Sequence, residues 1–237
     1  RLLEQDLQRQ QRLDSRLVCE LAEAKADGYN CWQHARASDN FLCFSPALKR
    51  LINLRKEQAS QLQEPRSCWE TLAQPFEPDV SFVRLQELFD PLKDRLPSLI
   101  EKARGFTSSR TRKDWDLAPS VQNHFCEKLL KEWGRDASIS CVGSSPHPFS
   151  ITLGPKDYRL TTRIVPGQPF SSFLAAAHEW GHSLYEQGLP SQSHIWFAWP
   201  LGQATSMGLH ESQSLFWENR VARSRAFAES FWTHFVD

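Results

Sequence analysis

His178-Glu179-Trp180-Gly181-His182 reads HEWGH. On a helix, positions i and i+4 lie on one face, one turn apart. Two imidazoles so placed can grip one metal ion, with Glu179 beside the first of them. Zinc in a hydrolytic site takes three protein ligands and keeps a fourth position open for water. His178 and His182 supply two. The third is expected from a carboxylate on a second helix, and Glu211, within Gly208-Leu209-His210-Glu211-Ser212-Gln213-Ser214, is the candidate. His210 is its rival. Neighbouring residues on a helix point about 100° apart, so one of the two reaches the ion. By the same geometry Glu179 cannot share the ligand face of His178. It is expected beside the open position, taking a proton from water and later passing it to the leaving amine. The plain alternatives are structural histidines and surface glutamates.

A second group precedes the motif: His147-Pro148-Phe149, then Asp157-Tyr158-Arg159-Leu160-Thr161-Thr162-Arg163. A strand beside a metal helix can pair with an extended peptide through backbone hydrogen bonds. His147, Tyr158 and Arg159 are the substrate-binding candidates. Arg159 can hold a carboxylate in a bidentate fork or pair with Asp157, two residues back. His147 can donate to a substrate or simply pack.

The elements that must position these residues are mostly helices. Residues 1–137 read as a helical region and 138–237 as a β-hairpin plus metal-binding helices, together one continuous unit. Leu3, Leu7, Leu17 and Leu21 suggest a helical stripe interrupted by Gln10 and Asp14. Ser45-Pro46 predicts a helix start, cap followed by first-turn proline. Ser81 predicts another, with Phe82, Leu85, Leu88, Phe89, Leu92, Leu96 and Leu99 near one face and Pro91 bending it. Ser120 is expected to cap a third, stopped by Gly134. Ser150 to Leu153 and Tyr158 to Val165 read as strands joined through Gly154-Pro155-Lys156-Asp157. Ser171 or Ser172 is expected to cap the helix that carries His178, and Gly188 to end it. A last helix is expected from about Thr205 to the C-terminus. Trp180, Trp196, Phe197, Trp199, Trp217 and Trp232 are expected mostly in the core, with a minority walling a cleft.

With 28 basic and 28 acidic side chains the formal charge is zero. That excludes the electrostatic footprint of a nucleic-acid binder. The densest basic stretch, Arg104, Arg110, Arg112 and Lys113, lies among Ser and Thr and reads as a solvated loop. No apolar run approaches the roughly 20 residues that span a bilayer, so no membrane partner is expected. The opening residues are too polar for a signal peptide. The chain begins at Arg1 without a methionine and is expected to be part of something longer. Cys19, Cys31, Cys43, Cys68, Cys126 and Cys141 form no CxxC pair. Free thiols in a reducing cytoplasm are expected, most of them packed as small hydrophobes.

The chain resembles the carboxypeptidase Taq family, the M32 metallocarboxypeptidases. HPF at 147–149, DxRxT at 157–161, HExGH at 178–182 and HESQS at 210–214 match in order, as do the flanks HSLYEQGLP from His182 and LFWENRVARSR from Leu215. The resemblance implies a mainly α, zincin-like helical body with a small β-hairpin or sheet beside an active-site groove. It implies release of single C-terminal residues from peptides, with broad side-chain tolerance. One divalent ion per chain, zinc or cobalt, would be held by His178, His182 and Glu211, with Glu179 catalytic. Family members are commonly cytoplasmic homodimers. The family's later motifs, IRxxAD and GxxQDxHW, do not occur in the 237 residues. The chain is therefore expected to bind metal, to have an open groove and exposed apolar surface, and to hydrolyse peptides poorly. Competing readings are a zinc endopeptidase and a non-catalytic helical remnant or interaction module.

Overall fold

Short capping signals set many of the helix ends. The computed structural model describes residues 2–78, 80–107, 117–190, 194–197 and 199–231. Helix α1 (Leu2–Gln11) is followed by α2 (Ser15–Ala37), where Asp14 caps by accepting from the Arg16 amide. A 3-10 turn (Phe41–Cys43) leads into α3 (Ser45–Leu62), with Pro46 in its first turn as predicted; Ser45 is not its cap, since Phe44 holds that position without a side-chain bond. Helix α4 (Cys68–Ala73) carries a complete capping box between Ser67 and Glu70. Helix α5 (Phe82–Thr107) contains both Pro91 and Pro97. Its apolar positions Leu88, Phe89, Leu92, Leu96 and Leu99 are all exposed. No helix among the described residues is long and apolar enough to cross a membrane.

The chain divides into two compact units, Arg1–Pro97 and Ser98–Asp237. In the first, Leu17, Leu21 and Ala24 of α2 pack with Leu54 of α3. The stripe expected from Leu3 onward is thus broken. α1 and α2 are separate helices, and Leu3 and Leu7 are exposed.

The second unit begins its regular packing with α6 (Pro119–Glu132). Ser120 is not its cap: Pro119 occupies the first turn and Ala118 precedes it without a side-chain bond. Gly134, at φ 87°, turns the chain out of the helix in a conformation that disfavours a β-carbon. Three strands follow, β1 (Ser140–Ser144), β2 (Ser150–Gly154) and β3 (Asp157–Thr162), in the order β1-β3-β2. The hairpin β2–β3 is antiparallel, as its turn residues predict, and Lys156 takes φ 61° after Pro155. Strand β1, which pairs parallel to β3, was not anticipated by the turn pattern.

Helix α7 (Pro169–Gln187) carries the HEWGH motif. It starts at Pro169, not at a serine cap. Ser172 is buried and spends its hydroxyl on the Pro169 carbonyl and the Gln122 side chain. Gly188 terminates the helix. Helix α8 (His194–Phe197), a 3-10 turn (Pro200–Gly202) and α9 (Met207–Leu215) follow. The last helix is not continuous. After α9 the backbone widens into a π turn (Phe216–Val221), breaks, and resumes as α10 (Arg225–Phe231).

Two apolar contacts hold α7 in place. Phe173 and Ala177 pack with Leu129 of α6, Ala222 and Phe231. Trp180 packs with Leu130 of α6 and Leu160 of β3. Each such large side chain contributes about 1.5–3 kcal/mol on full burial. Trp180 lies between the two histidines in sequence and on another helix face, so its burial directs the histidine face away from this core.

Other expectations need correction. Only Cys126 is buried; Cys31 is half-buried and the other four cysteines are exposed, all six free. Of the aromatic group, Trp180 is core and Trp217 packs partly buried on Trp133, but Trp196 and Trp199 are exposed. Trp232, Arg110, Arg112 and Lys113 lie outside the described residues, and Arg104 pairs with Glu101.

Candidate metal centre

His178 and His182 stack one turn apart on α7, their rings nearly perpendicular with centroids 4.9 Å apart. Glu211 comes from α9. Its Oε2 lies 3.3 Å from His182 Nε2 and 3.8 Å from His178 Nε2. One ligand atom from each of the three residues can be chosen so that all lie within 4.8 Å of one another. Ligands about 2.1 Å from a tetrahedral zinc sit about 3.4 Å apart, close to the distances from Glu211 to the two histidines.

The outer nitrogens of both histidines are occupied. His178 Nδ1 meets Glu218 Oε2 at 3.1 Å, and Glu218 Oε1 accepts from Arg223 at 2.7 Å. His182 Nδ1 meets His210 Nδ1 at 2.5 Å. Each Nε2 is therefore the atom turned toward Glu211. A carboxylate on the outer nitrogen of a ligand histidine is the usual way to fix its ring and tautomer. His210, the rival ligand, points at His182 and at Glu186 Oε1, 2.8 Å from its Nε2. It does not join the three-residue cluster.

The approach of α9 to α7 depends on Gly181. A β-carbon there would meet the Gln213 carbonyl oxygen at 2.5 Å and Ser214 Cα at 2.6 Å. Both are backbone, so neither can swing aside. Ser214 is fully buried and donates its hydroxyl to the Glu211 carbonyl at 2.7 Å. Gly181→Ala is therefore expected to lower stability by about 1–3 kcal/mol, although alanine is the better helix former by about 1 kcal/mol. It should also weaken metal binding by displacing Glu211. Urea unfolding and a zinc titration check this; unchanged or raised stability would contradict the close approach.

Glu179 is buried beside this cluster, at 6% exposure. Burial, and secondarily the charge of Glu211, push its carboxyl up to about 7. Burial, with His210 and His178 nearby, pushes His182 down to about 4, despite the opposing pull of Glu211. In the metal-free chain these act in opposite directions. Glu179 binds its proton more tightly folded than unfolded, so its contribution is full below about pH 4.5 and is lost as pH rises through 7. His182 contributes above about pH 6.5 and loses that contribution as pH falls through 4. Glu179→Gln removes only the first. Without metal, the variant should match its parent near pH 4 and exceed it by on the order of 3 kcal/mol at pH 8. Urea unfolding at the two pH values reads this directly, and a difference independent of pH would contradict it.

The substrate-side candidates are not gathered here. Along β3, Tyr158, Leu160 and Thr162 are buried, with Leu160 against Trp180 of α7 and Thr162 bonded to the Ser172 carbonyl. Arg159 lies on the opposite face, exposed, and donates twice to Asp157 at 2.9 and 3.0 Å. Tyr158 is on the α7 side but buried; burial and the charge of Glu186 push its hydroxyl above the ordinary value. His147 is exposed before β2, its Nδ1 2.7 Å from the Pro148 carbonyl oxygen. Sequence reasoning missed Glu186 and Glu218. Glu186 was findable, four residues after His182 and hence on the same helix face. Glu218 depends on the π turn, which no residue pattern announces.

The family model described as carboxypeptidase Taq (M32) metallopeptidase matches residues 1–237. Thermostable carboxypeptidase 1 of Thermus thermophilus is 35% identical over 241 residues, covering 96% of this chain and 46% of the relative. A solved M32 carboxypeptidase from Deinococcus radiodurans superposes with a TM-score of 0.82 at 29% identity, covering 98% of this chain and 46% of that one. A carboxypeptidase structure from Pyrococcus furiosus gives 0.82 at 25% identity, with 98% and 47% covered. The chain spans about half the length of the relatives it matches.

Proposed function

The chain belongs to the carboxypeptidase Taq (M32) metallopeptidase family, and on that premise we propose that His178, His182 and Glu211 hold one divalent ion beside which Glu179 acts as general base in releasing C-terminal residues from peptides. The convergence of two imidazole nitrogens and one carboxylate from two packed helices carries this reading. Zinc suits the two-histidine, one-carboxylate set, and cobalt accepts the same donors. When bound, the ion would polarise the scissile carbonyl and make nearby water acidic.

The chain's own residues supply the rest. Glu179 shares the motif with the ligands but sits on another helix face, so its carboxylate is free of ligation. A buried carboxylate beside the ion's open position is placed to accept a proton from water. It takes a proton from the attacking water and returns it to the nitrogen of the leaving residue. Glu218 and His210 hold the outer nitrogens of the two histidines, so the rings keep their aim as charge develops.

A carboxypeptidase must distinguish a terminal carboxylate from an internal amide, which takes a fixed cationic or hydrogen-bonding anchor. Arg159, the anchor that motif matching offered, is engaged by Asp157 and stands on the sheet face away from α7. We therefore expect the 237-residue chain to bind metal but cleave weakly. A homodimeric state and a cytoplasmic site belong to the same reading.

The test uses an N-blocked dipeptide with a free carboxylate, its C-terminal amide, and two chains, this one and one extended to the relatives' length. The extended chain should cleave the acid and spare the amide. Cleavage of both would favour an endopeptidase. Equal catalytic efficiency of the two chains on the acid would place the anchor within residues 1–237.

A further inference from the structure

We infer that Glu186 and His210 form a relay that positions His182, fixing its proton on Nδ1 and leaving Nε2 bare for a cation. The inference rests on the metal-centre reading and adds Glu186 and the placement of the protons to it. Glu186 Oε1 lies 2.8 Å from His210 Nε2, and His210 Nδ1 lies 2.5 Å from His182 Nδ1. All three side chains are largely enclosed, at 18%, 13% and 15% exposure respectively. Water is thus a poor substitute for any partner in the series.

Proton counting gives the direction. An ionised carboxylate only accepts, so Glu186 accepts a hydrogen bond from His210 Nε2–H. A neutral imidazole carries one N–H, which leaves His210 Nδ1 as an acceptor. The facing nitrogen must then donate, so His182 carries its proton on Nδ1. Its Nε2 is a bare lone pair, 3.3 Å from Glu211 Oε2, another acceptor. On the other arm, Glu218 accepts from His178 Nδ1, leaving a bare Nε2 3.8 Å from the same oxygen. Three lone pairs facing one another repel unless a cation lies among them.

The relay is anchored from both units of secondary structure that flank α7. Thr152 of β2 donates to Glu186 Oε2 at 3.4 Å, and the Tyr185 ring packs edge-on against His210, 4.9 Å between centroids. Glu186 and Tyr185 lie on α7, His210 on α9 and Thr152 on β2. The arrangement therefore ties the ligand helix to the sheet and to the helix that carries Glu211. His210 and Glu186 are positioning residues, not ligands.

Zinc affinity and histidine tautomers, read without any activity measurement, test the relay. Outer partners of metal ligands are typically worth about ten- to a hundredfold in affinity. His210→Leu should weaken zinc binding by that factor. His210→Gln, whose side-chain oxygen can accept from His182 Nδ1, should recover much of it. Glu186→Gln, which keeps an acceptor but loses the charge, should fall between parent and His210→Leu. In the unaltered metal-free chain, nitrogen NMR should find His182 protonated on Nδ1 and His210 on Nε2. If His210→Leu does not fold, Glu186→Gln and the tautomers decide. Zinc affinity unchanged within about threefold in a folded His210→Leu, or His182 protonated on Nε2, would overturn the relay. His182→Ala separates this from failure of the centre. If that variant loses zinc while His210→Leu keeps it, only the relay is wrong. If His182→Ala also keeps it, the centre is wrong, and the tautomers still judge the relay.

Discussion

Glu179→Gln is expected to keep its metal ion and to lose hydrolysis by about 10²–10⁴-fold, the usual worth of a general base. The substitution preserves size and removes only the capacity to take a proton. Glu179 is buried in α7, one residue from a proposed ligand but on another face of the helix, so its loss leaves the three donors untouched. The effect should fall on kcat rather than KM, because the proton moves in the transition state and not on binding. The measurement is kinetics on an N-blocked dipeptide with the chain extended to the relatives' length, alongside metal content. Near-normal turnover at full metal occupancy would rule Glu179 out as the base.

Truncating a ligand should have the opposite signature. His182→Ala or Glu211→Ala is expected to weaken zinc binding by more than about a hundredfold, beyond the range of outer partners. Two donors remain in either variant, one short of the set that holds a hydrolytic zinc. The two variants should differ in one respect. Glu211 is the nearby charge that helps hold Glu179 above its ordinary value, so Glu211→Ala should let the Glu179 carboxyl fall part of the way back toward 4.5. His182→Ala leaves the Glu211 charge in place. Calorimetric titration with zinc and a carboxyl titration by NMR read both effects. An affinity within tenfold of the parent in either variant would mean that the deleted side chain is not a ligand.

What could be read from the sequence was local. His178 and His182 are four apart on one helix, and a fixed helical pitch converts that spacing into geometry. Pro46 and Gly188 work the same way, each acting within one turn of itself. Glu211 is remote in sequence and was chosen over His210 only as a carboxylate expected on a second helix. The structure separates the two by which neighbour each meets, Glu211 the inner nitrogens and His210 the outer one. The misses arose where a distant partner decides. Ser172 looked like a cap, but its hydroxyl is claimed by Gln122 from α6. Strand β1 forms because β3 lies parallel beside it, a pairing that no local alternation encodes. Arg159 was placed in the right strand, yet strand alternation sends it to the opposite face from Tyr158 and Leu160. Glu218 reaches His178 from a π turn, which shifts the angular position of every residue after α9 and defeats a 3.6-residue count.

X-ray absorption on the zinc-loaded 237-residue chain, with stoichiometry measured on the same sample, tests the centre most directly. The expected result is one zinc per chain, bound by two imidazole nitrogens and a carboxylate oxygen at about 2.0–2.2 Å, with a light-atom fourth ligand. Sulfur in the coordination shell, or a zinc whose spectrum is unchanged by His182→Ala, would contradict it.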